Sequence, residues 1–203
     1  MMSHYNTIIN STVKFVKSYM TNLNDISHDY THIKLVIKYA LEIAKKESIT
    51  NKRDLFHIKM GALLHDIGDS KYTNGNQFII IKKYLQSIKK LSSYDISEIL
   101  KISANVSLSK DTNPKYDKNK LKLYIVQDAD RINSLGSIGI MRYISYNVKN
   151  MKEPSFSDII NTIELRTNKI KLFIRTKTGK NIAKSHIKLV NDFILNYKRF
   201  KCI

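Results

Sequence analysis

Residues 29–47 read DYTHIKLVIKYALEIAKKE. Ile33, Val36, Ile37, Ala40, Leu41 and Ala44 recur there at i, i+3, i+4 and i+7, the spacing of one apolar face on an α-helix. Ser27 stands just ahead as an N-cap. The same period runs outward in both directions. Residues 5–20 carry Ile9, Val13, Val16 and Met20, and residues 52–66 carry Leu55, Ile58, Ala62 and Leu63, with Gly68 just past the end where a left-handed cap is easiest. Further helices are predicted over 77–91, 94–105, 119–133, 140–149, 156–175 and 180–199. A polar loop spans 108–119, a glycine break falls at Gly136 and Gly139, and Pro154 ends the 140–149 stretch. No strand alternation and no internal repeat interrupts this pattern. The fold class is all-α: a helical core over 1–150, then a C-terminal helical extension over 151–203 packed on it, or one single domain over 1–203.

Composition narrows the function classes. The chain has 203 residues, 42% of them hydrophobic, with 2 Pro and 6 Gly. Collagen-like, Pro-rich and disordered chains are excluded, and the length supports a real core. The lone Cys202 excludes a disulfide framework within the chain, so a reducing, cytoplasmic home is expected. The longest apolar runs, such as Phe78–Ile81, fall far short of the roughly 20 residues that span a bilayer. Asn6, Asn10, Lys14 and Lys17 interrupt any signal-peptide core.

Lys+Arg number 35 against 17 Asp+Glu, a formal net charge of +18. That balance invites a nucleic-acid partner. Yet Lys outnumbers Arg about fivefold, whereas base and phosphate recognition leans on the planar fork of Arg, and a preference for A/T-rich codons is a competing explanation for much of the lysine. From Arg166 to Ile203 there are 11 Lys+Arg and one acid, Asp192. This basic C-terminal segment has two readings: a weak nucleic-acid contact, or a solvated face.

Four segments gather polar or metal-capable side chains. Ser27–His32 puts His28 and His32 four apart, on one helical face. Leu64–Lys71 holds His65, Asp66, Asp69 and Lys71. Val126–Arg131 sets Asp128, Asp130 and Arg131 after an apolar run. Ser103–Ser109 is polar without a charge. Each has an ordinary structural reading taken alone: surface histidines, a chance His-Asp dipeptide, a surface acid. Together they set costly charges against buried helices. A divalent cation supplies a partner for all of them. Imidazole and carboxylate donors suit Mn, Fe, Zn or Mg, and fewer than six protein ligands leave room for water and substrate.

The ordered set His32 … His65-Asp66 … Asp128 on helices resembles the HD-domain superfamily of metal-dependent phosphohydrolases. Gln127-Asp128-Ala129-Asp130-Arg131 with Gly136 and Gly139 behind it resembles the compact stand-alone HD subfamily, over about residues 10–195. The resemblance implies an HD-domain helical bundle with additional C-terminal helices. It also implies one divalent metal ion on His32, His65, Asp66 and Asp128. Asp69 and Asp29 become candidates for the general base or for orienting a ligand histidine. Lys71 becomes either a cation for phosphate or a solvated loop lysine, Arg131 either a cation for phosphate or a structural ion pair with Asp130 or Asp66, and His28 either a phosphate contact or a buttress of the site; Asn105 and Ser109 become further substrate contacts. Many relatives carry a histidine at the helix end that here reads Ile102–Ser107; its absence favours a mononuclear site.

Some relatives cleave nucleoside triphosphates to the monophosphate and pyrophosphate, with manganese favoured. The implied substrate is therefore a phosphorylated small molecule, a nucleotide, and the implied enzyme a pyrophosphohydrolase. Nucleotide phosphatase and cyclic-nucleotide phosphodiesterase are the alternatives within the superfamily. A basic nucleic-acid-binding HD module is the alternative from another class. No membrane partner is expected, and the chain is read as a monomer or homodimer.

Overall fold

The structure, a computed structural model, describes residues 2–23, 30–69 and 76–201. Nine α-helices make up the described residues: α1 Met2–Leu23, α2 Tyr30–Lys46, α3 Lys52–Leu64, α4 Gln77–Ser87, α5 Ser93–Ser103, α6 Leu121–Asn133, α7 Gly136–Asn150, α8 Phe156–Phe173 and α9 Lys177–Lys201. A 3-10 turn, Lys118–Lys120, leads into α6. No strand occurs among the described residues, and none of the described helices is long and apolar enough to cross a membrane. The expected N-cap Ser27 lies outside the described residues.

Helix starts follow side-chain chemistry. The Asn51 side chain accepts from the backbone N–H of Arg53 and Asp54 at the head of α3, and Ser92 and Ser155 do the same for Asp95 and Asp158 in α5 and α8. Each satisfies donors that the first turn leaves without partners. The predicted glycine break before α7 is shorter than expected. The chain turns at Gly136 (φ +68°), where α7 begins, rather than at 140. Gly139 permits this, because a Cβ there would sit 2.4 Å from the Ser134 carbonyl.

Helices α2 and α3 are shared by two apolar clusters. On one side Ile33, Met60 and Leu63 join Val16 of α1, Ile81 and Leu85 of α4 and Ile99 of α5. On the other, Val36, Ala40 and Ile43 of α2 and Ile58 of α3 join α6 through Ile125, Val126 and Ala129. This second cluster continues into Ile140 of α7, Ile163 and Ile170 of α8, and Val190 of α9. Of the helices after Pro154, α9 packs on α6, α7 and α2, while α8 packs on α7 and α9. Two clusters meeting on one helix pair leave a seam, and the N-terminal turn of α2, the C-terminal end of α3 and the last turns of α6 come together along it.

One glycine fixes the exit from α3. Gly68 has φ +69°, and a Cβ there would lie 2.9 Å from Gln77 Cα and 3.0 Å from Ile80 Cδ1 in α4. A left-handed backbone costs an L-residue about 1–2 kcal/mol, and the backbone contact adds to it. Gly68→Ala is therefore expected to destabilise the fold by at least about 2 kcal/mol. Urea titration checks this, and an unchanged midpoint would refute the close approach of this turn to α4.

Candidate metal centre

His32 stands in the first turn of α2, His65 caps the C-terminus of α3 with Asp66 directly after it, and Asp130 lies in the last turn of α6. Their polar atoms converge. His32 Nε2 is 3.2 Å from His65 Nε2 and 3.2 Å from Asp66 Oδ2, and His65 Nε2 is 3.3 Å from Asp66 Oδ1. Asp130 Oδ1 is 3.4 Å from His32 Nε2 and 3.7 Å from His65 Nε2. His32, His65 and Asp66 are all buried and form a three-donor group able to hold an ion.

These separations are a test of fit. Bonds of about 2.1 Å to a transition-metal ion set neighbouring donors roughly 3.0 Å apart in octahedral and roughly 3.4 Å apart in tetrahedral geometry. The observed distances fall close to that range, and two imidazoles with two carboxylates match a borderline-to-hard divalent ion. His65 Nδ1 is 2.8 Å from the Ala62 carbonyl oxygen, to which it donates. That bond fixes the tautomer and turns Nε2 toward the centre. Burial lowers the pKa of His32. Burial also pulls on His65, but Asp66, Asp130 and the Ala62 bond outweigh it, and His65 is raised.

A cavity of about 50 Å³ surrounds these atoms, walled in addition by Asp69, Ser107, Leu108, Ser134, Arg142 and Arg166. Arg142 Nη1 is 2.8 Å from His32 Nδ1. The Arg166 guanidinium lies over the Tyr143 ring, 5.0 Å from its centroid. Two cations, from α7 and α8, thus face the carboxylates from the C-terminal side.

The structure corrects the sequence-based assignment of Asp128. It is fully buried, and its carboxylate accepts from Arg175 N (3.0 Å), Thr176 N (2.7 Å) and Thr176 Oγ1 (2.7 Å). It sits at the N-terminus of α9, where a negative charge complements the exposed N–H groups. Burial raises its pKa, against those hydrogen bonds. Two steps along a helix rotate a side chain by about 200°, so Asp128 and Asp130 cannot face the same way. It is Asp130, not Asp128, whose carboxylate approaches His32 and His65.

Arg131 is corrected too. It is buried with Nη2 on Asp111 Oδ2 (2.5 Å) and Nη1 on the Phe173 carbonyl (2.6 Å), outside the residues that wall the metal cavity. These bonds tie α6 to the loop that carries Asp111 and to the end of α8. Asn105 turns its amide to the Lys101 carbonyl, and its backbone oxygen accepts from Gln127; it borders a different cavity. Ser109 is exposed and bonds Ser107, whose residue does line the metal cavity. Asp69 lines the cavity. His28, Asp29 and Lys71 lie outside the described residues.

Sequence reasoning missed Asp130, Asn133, Arg142 and Arg166. A signal for the first two existed: Val126, Ala129, Asp130 and Asn133 share one stripe of α6, and Asn133 Nδ2 reaches His32 Nδ1 at 2.6 Å. The arginines had none, because only the return of α7 and α8 over the seam brings them there.

The HD domain family model matches residues 29–135, a span that contains His32, His65, Asp66 and Asp130. The chain belongs to the HD domain family, and with it to the metal-dependent phosphohydrolases. Three solved structures are similar over nearly the whole chain. The Lin1889 protein of Listeria innocua is 29% identical, with a TM-score of 0.75 and 98% of both chains covered. An HD-superfamily hydrolase of Bacillus thuringiensis is 25% identical, with a TM-score of 0.72, covering 96% of this chain and 97% of that one. YpgQ of Bacillus subtilis, solved in complex with ADP, has a TM-score of 0.73 at 19% identity, covering 94% of this chain and 96% of YpgQ. By sequence, YpgQ is 27% identical over 129 residues, 63% of this chain and 60% of YpgQ.

Proposed function

We propose that this chain is a nucleotide pyrophosphohydrolase that releases pyrophosphate from (deoxy)nucleoside triphosphates, with Mn²⁺ as the favoured ion, held by His32, His65, Asp66 and Asp130. The observation that carries the reading is the four-donor cluster with Arg142 and Arg166 lining the same cavity. Three carboxylates, from Asp66, Asp69 and Asp130, face two guanidinium groups. A divalent cation brings that set to a net positive charge, which suits a polyphosphate and no neutral substrate. The binding of ADP by YpgQ favours a nucleotide among phosphorylated molecules.

When bound, the ion supplies a Lewis acid and a water of lowered pKa. The chain's own groups do the rest. Arg166 and Arg142 offer fork-shaped donors to phosphate oxygens. Asp69 accepts the proton of the attacking water. The new P–O bond forms at the α-phosphorus while the bond to the β-phosphate oxygen breaks, and pyrophosphate leaves with that electron pair. The buried walls from α3 and α6 hold the donors rigid, so little reorganisation accompanies the reaction.

The test is a panel of ribo- and deoxyribonucleoside triphosphates, diphosphates, monophosphates and cyclic nucleotides with Mn²⁺, Mg²⁺, Zn²⁺ or Fe²⁺. Pyrophosphate and orthophosphate are assayed separately. The expected product pair is monophosphate and pyrophosphate, fastest with Mn²⁺. Release of orthophosphate from monophosphates, or no turnover of any nucleotide, would overturn the proposal.

A further inference from the structure

Two donors meet the Nδ1 of His32: Asn133 Nδ2 at 2.6 Å and Arg142 Nη1 at 2.8 Å. A guanidinium carries only donors. With Arg142 in this place Nδ1 accepts, and the ring hydrogen sits on Nε2. There it points at Asp66 Oδ2 (3.2 Å) and Asp130 Oδ1 (3.4 Å). A cation among those carboxylates asks for the other tautomer, with the lone pair on Nε2 and the hydrogen on Nδ1. Arg142 has no atom to receive that hydrogen. Asn133 has one, because its amide, turned about its last torsion, presents Oδ1 instead of Nδ2. One nitrogen of one ligand is therefore contested by a group that disfavours the ion and a group that accommodates it.

Volume and charge point the same way. About 50 Å³ of cavity has room for an ion and a water, not for a triphosphate. Arg142 is a long, half-buried side chain on α7 whose head lies on His32. The guanidinium repels a divalent ion and attracts phosphate. Whatever draws it from His32 toward a phosphate also relieves the site of that repulsion.

We propose that Arg142 is an interlock: seated on His32 Nδ1 it holds the imidazole in the tautomer that resists the cation, and an anionic phosphate that takes the guanidinium away lets ion and substrate load together. The inference rests on the phosphohydrolase reading and adds a positioning residue to it. Asn133 is the second half of the device, the neutral partner that keeps His32 oriented once Arg142 has left.

The experiment titrates Mn²⁺ alone, with no nucleotide, into the metal-stripped full chain by calorimetry. Arg142→Gln removes the charge and offers an acceptor, and Arg142→Met removes both charge and donor should the first variant fold poorly. Either is expected to bind Mn²⁺ about tenfold more tightly than wild type, the size of effect that groups around a metal ligand have, here with the opposite sign because Arg142 opposes the ion. Arg142→Lys, still a cationic donor, is expected to stay near wild type. Asn133→Leu is expected to weaken Mn²⁺ binding about 10–100-fold. In turnover, Arg142→Gln should need less Mn²⁺ for half-maximal rate while its KM for the nucleotide rises.

A merely structural arginine would give equal or weaker Mn²⁺ binding in both neutral variants, and that result overturns the interlock. If wild type itself binds no Mn²⁺ and cleaves no nucleotide, the phosphohydrolase reading falls with it. If wild type does both and Arg142→Gln leaves the affinity unchanged, the interlock alone falls.

Discussion

Asp130→Asn is expected to lower nucleotide hydrolysis by at least about 100-fold and to abolish the rise in melting temperature that Mn²⁺ confers on wild type. The carboxylate contributes one of four donors, 3.4 Å from His32 Nε2 and 3.7 Å from His65 Nε2. Its amide replacement keeps the shape and loses the charge. The metal-stripped variant should melt within about 2 °C of metal-stripped wild type, because Asp130 holds no helix end and pins no loop. Asp128→Asn is the contrast. There an NH₂ group replaces an oxygen that accepts from Thr176 and Arg175, so donors face a donor at the start of α9. The expected cost is roughly 2–3 kcal/mol, a fall of roughly 4–12 °C for a chain of this size, with the Mn²⁺-induced shift retained. Thermal melts of both variants with and without Mn²⁺ decide the matter. Loss of the Mn²⁺ shift in Asp128→Asn but not in Asp130→Asn would return the ligand role to Asp128.

That pair of variants also marks where the sequence stopped being legible. The helical period around Ile33–Ala44 is strong because the helix is buried on two sides, and the same is true of α3. His32, His65 and Asp66 could be singled out since each is a polar residue at the end of such a stripe. Asp128 and Asp130 could not be told apart that way. Ile125, Val126, Ala129 and Ile132 are all buried, so α6 has apolar neighbours around most of its circumference and both acids abut a core. Only the partners decide: Asn133 and His32 on one side, the head of α9 on the other. Arg131 had two readings, substrate cation and structural ion pair, for a related reason. Next to a metal motif it reads as a substrate cation, but its phase on α6 sends it to Asp111, about twenty residues upstream in a loop with no periodic signal.

Local chemistry explains the boundary differences as well. Residues 134–139 read as a break because two glycines stand close together. Only one of them turns the chain, since Gly136 has a positive φ while Gly139 lies within α7 against the Ser134 carbonyl. The start of α9 falls at Lys177, three residues before the expected position. Thr176 caps it, accepting from Gly179 N at 2.9 Å, and Gly179 itself is squeezed against Asp128, whose Oδ2 would lie 2.6 Å from a Cβ there. A helix start fixed by a carboxylate about fifty residues away leaves little trace in its own neighbourhood. Arg142 and Arg166 are the extreme case: their place beside the metal cavity is a property of how α7 and α8 fold back, and nothing adjacent to them in sequence announces it.

Removing Asp111 should be the most damaging single change to stability outside the apolar core. Its carboxylate accepts from Arg131 Nη2 (2.5 Å) and from Arg175 Nη1 and Nη2 (both 2.7 Å). Both arginines are buried. Burial pushes the Asp111 pKa up, but the Arg175 and Arg131 hydrogen bonds outweigh it and hold the group below the usual carboxylate range. Asp111→Ala strands two buried cations beside each other, and breaking a buried pair on one side costs about 3–5 kcal/mol. The pH dependence has a definite sign. A carboxylate whose folded pKa lies below its unfolded value contributes stability that is full above about pH 4 and is lost as pH falls through the folded pKa. Wild type should therefore lose urea resistance below pH 4 more steeply than Asp111→Asn, in which Asp95 and Glu98, also held below the usual carboxylate range, still contribute, the variant starting from a lower midpoint at pH 7. Equal slopes below pH 4 would mean that Asp111 holds no excess charge stabilisation in the fold. A midpoint at pH 7 equal to wild type would mean that the loop carrying it contributes nothing to the closure of α8 and α9 over α6.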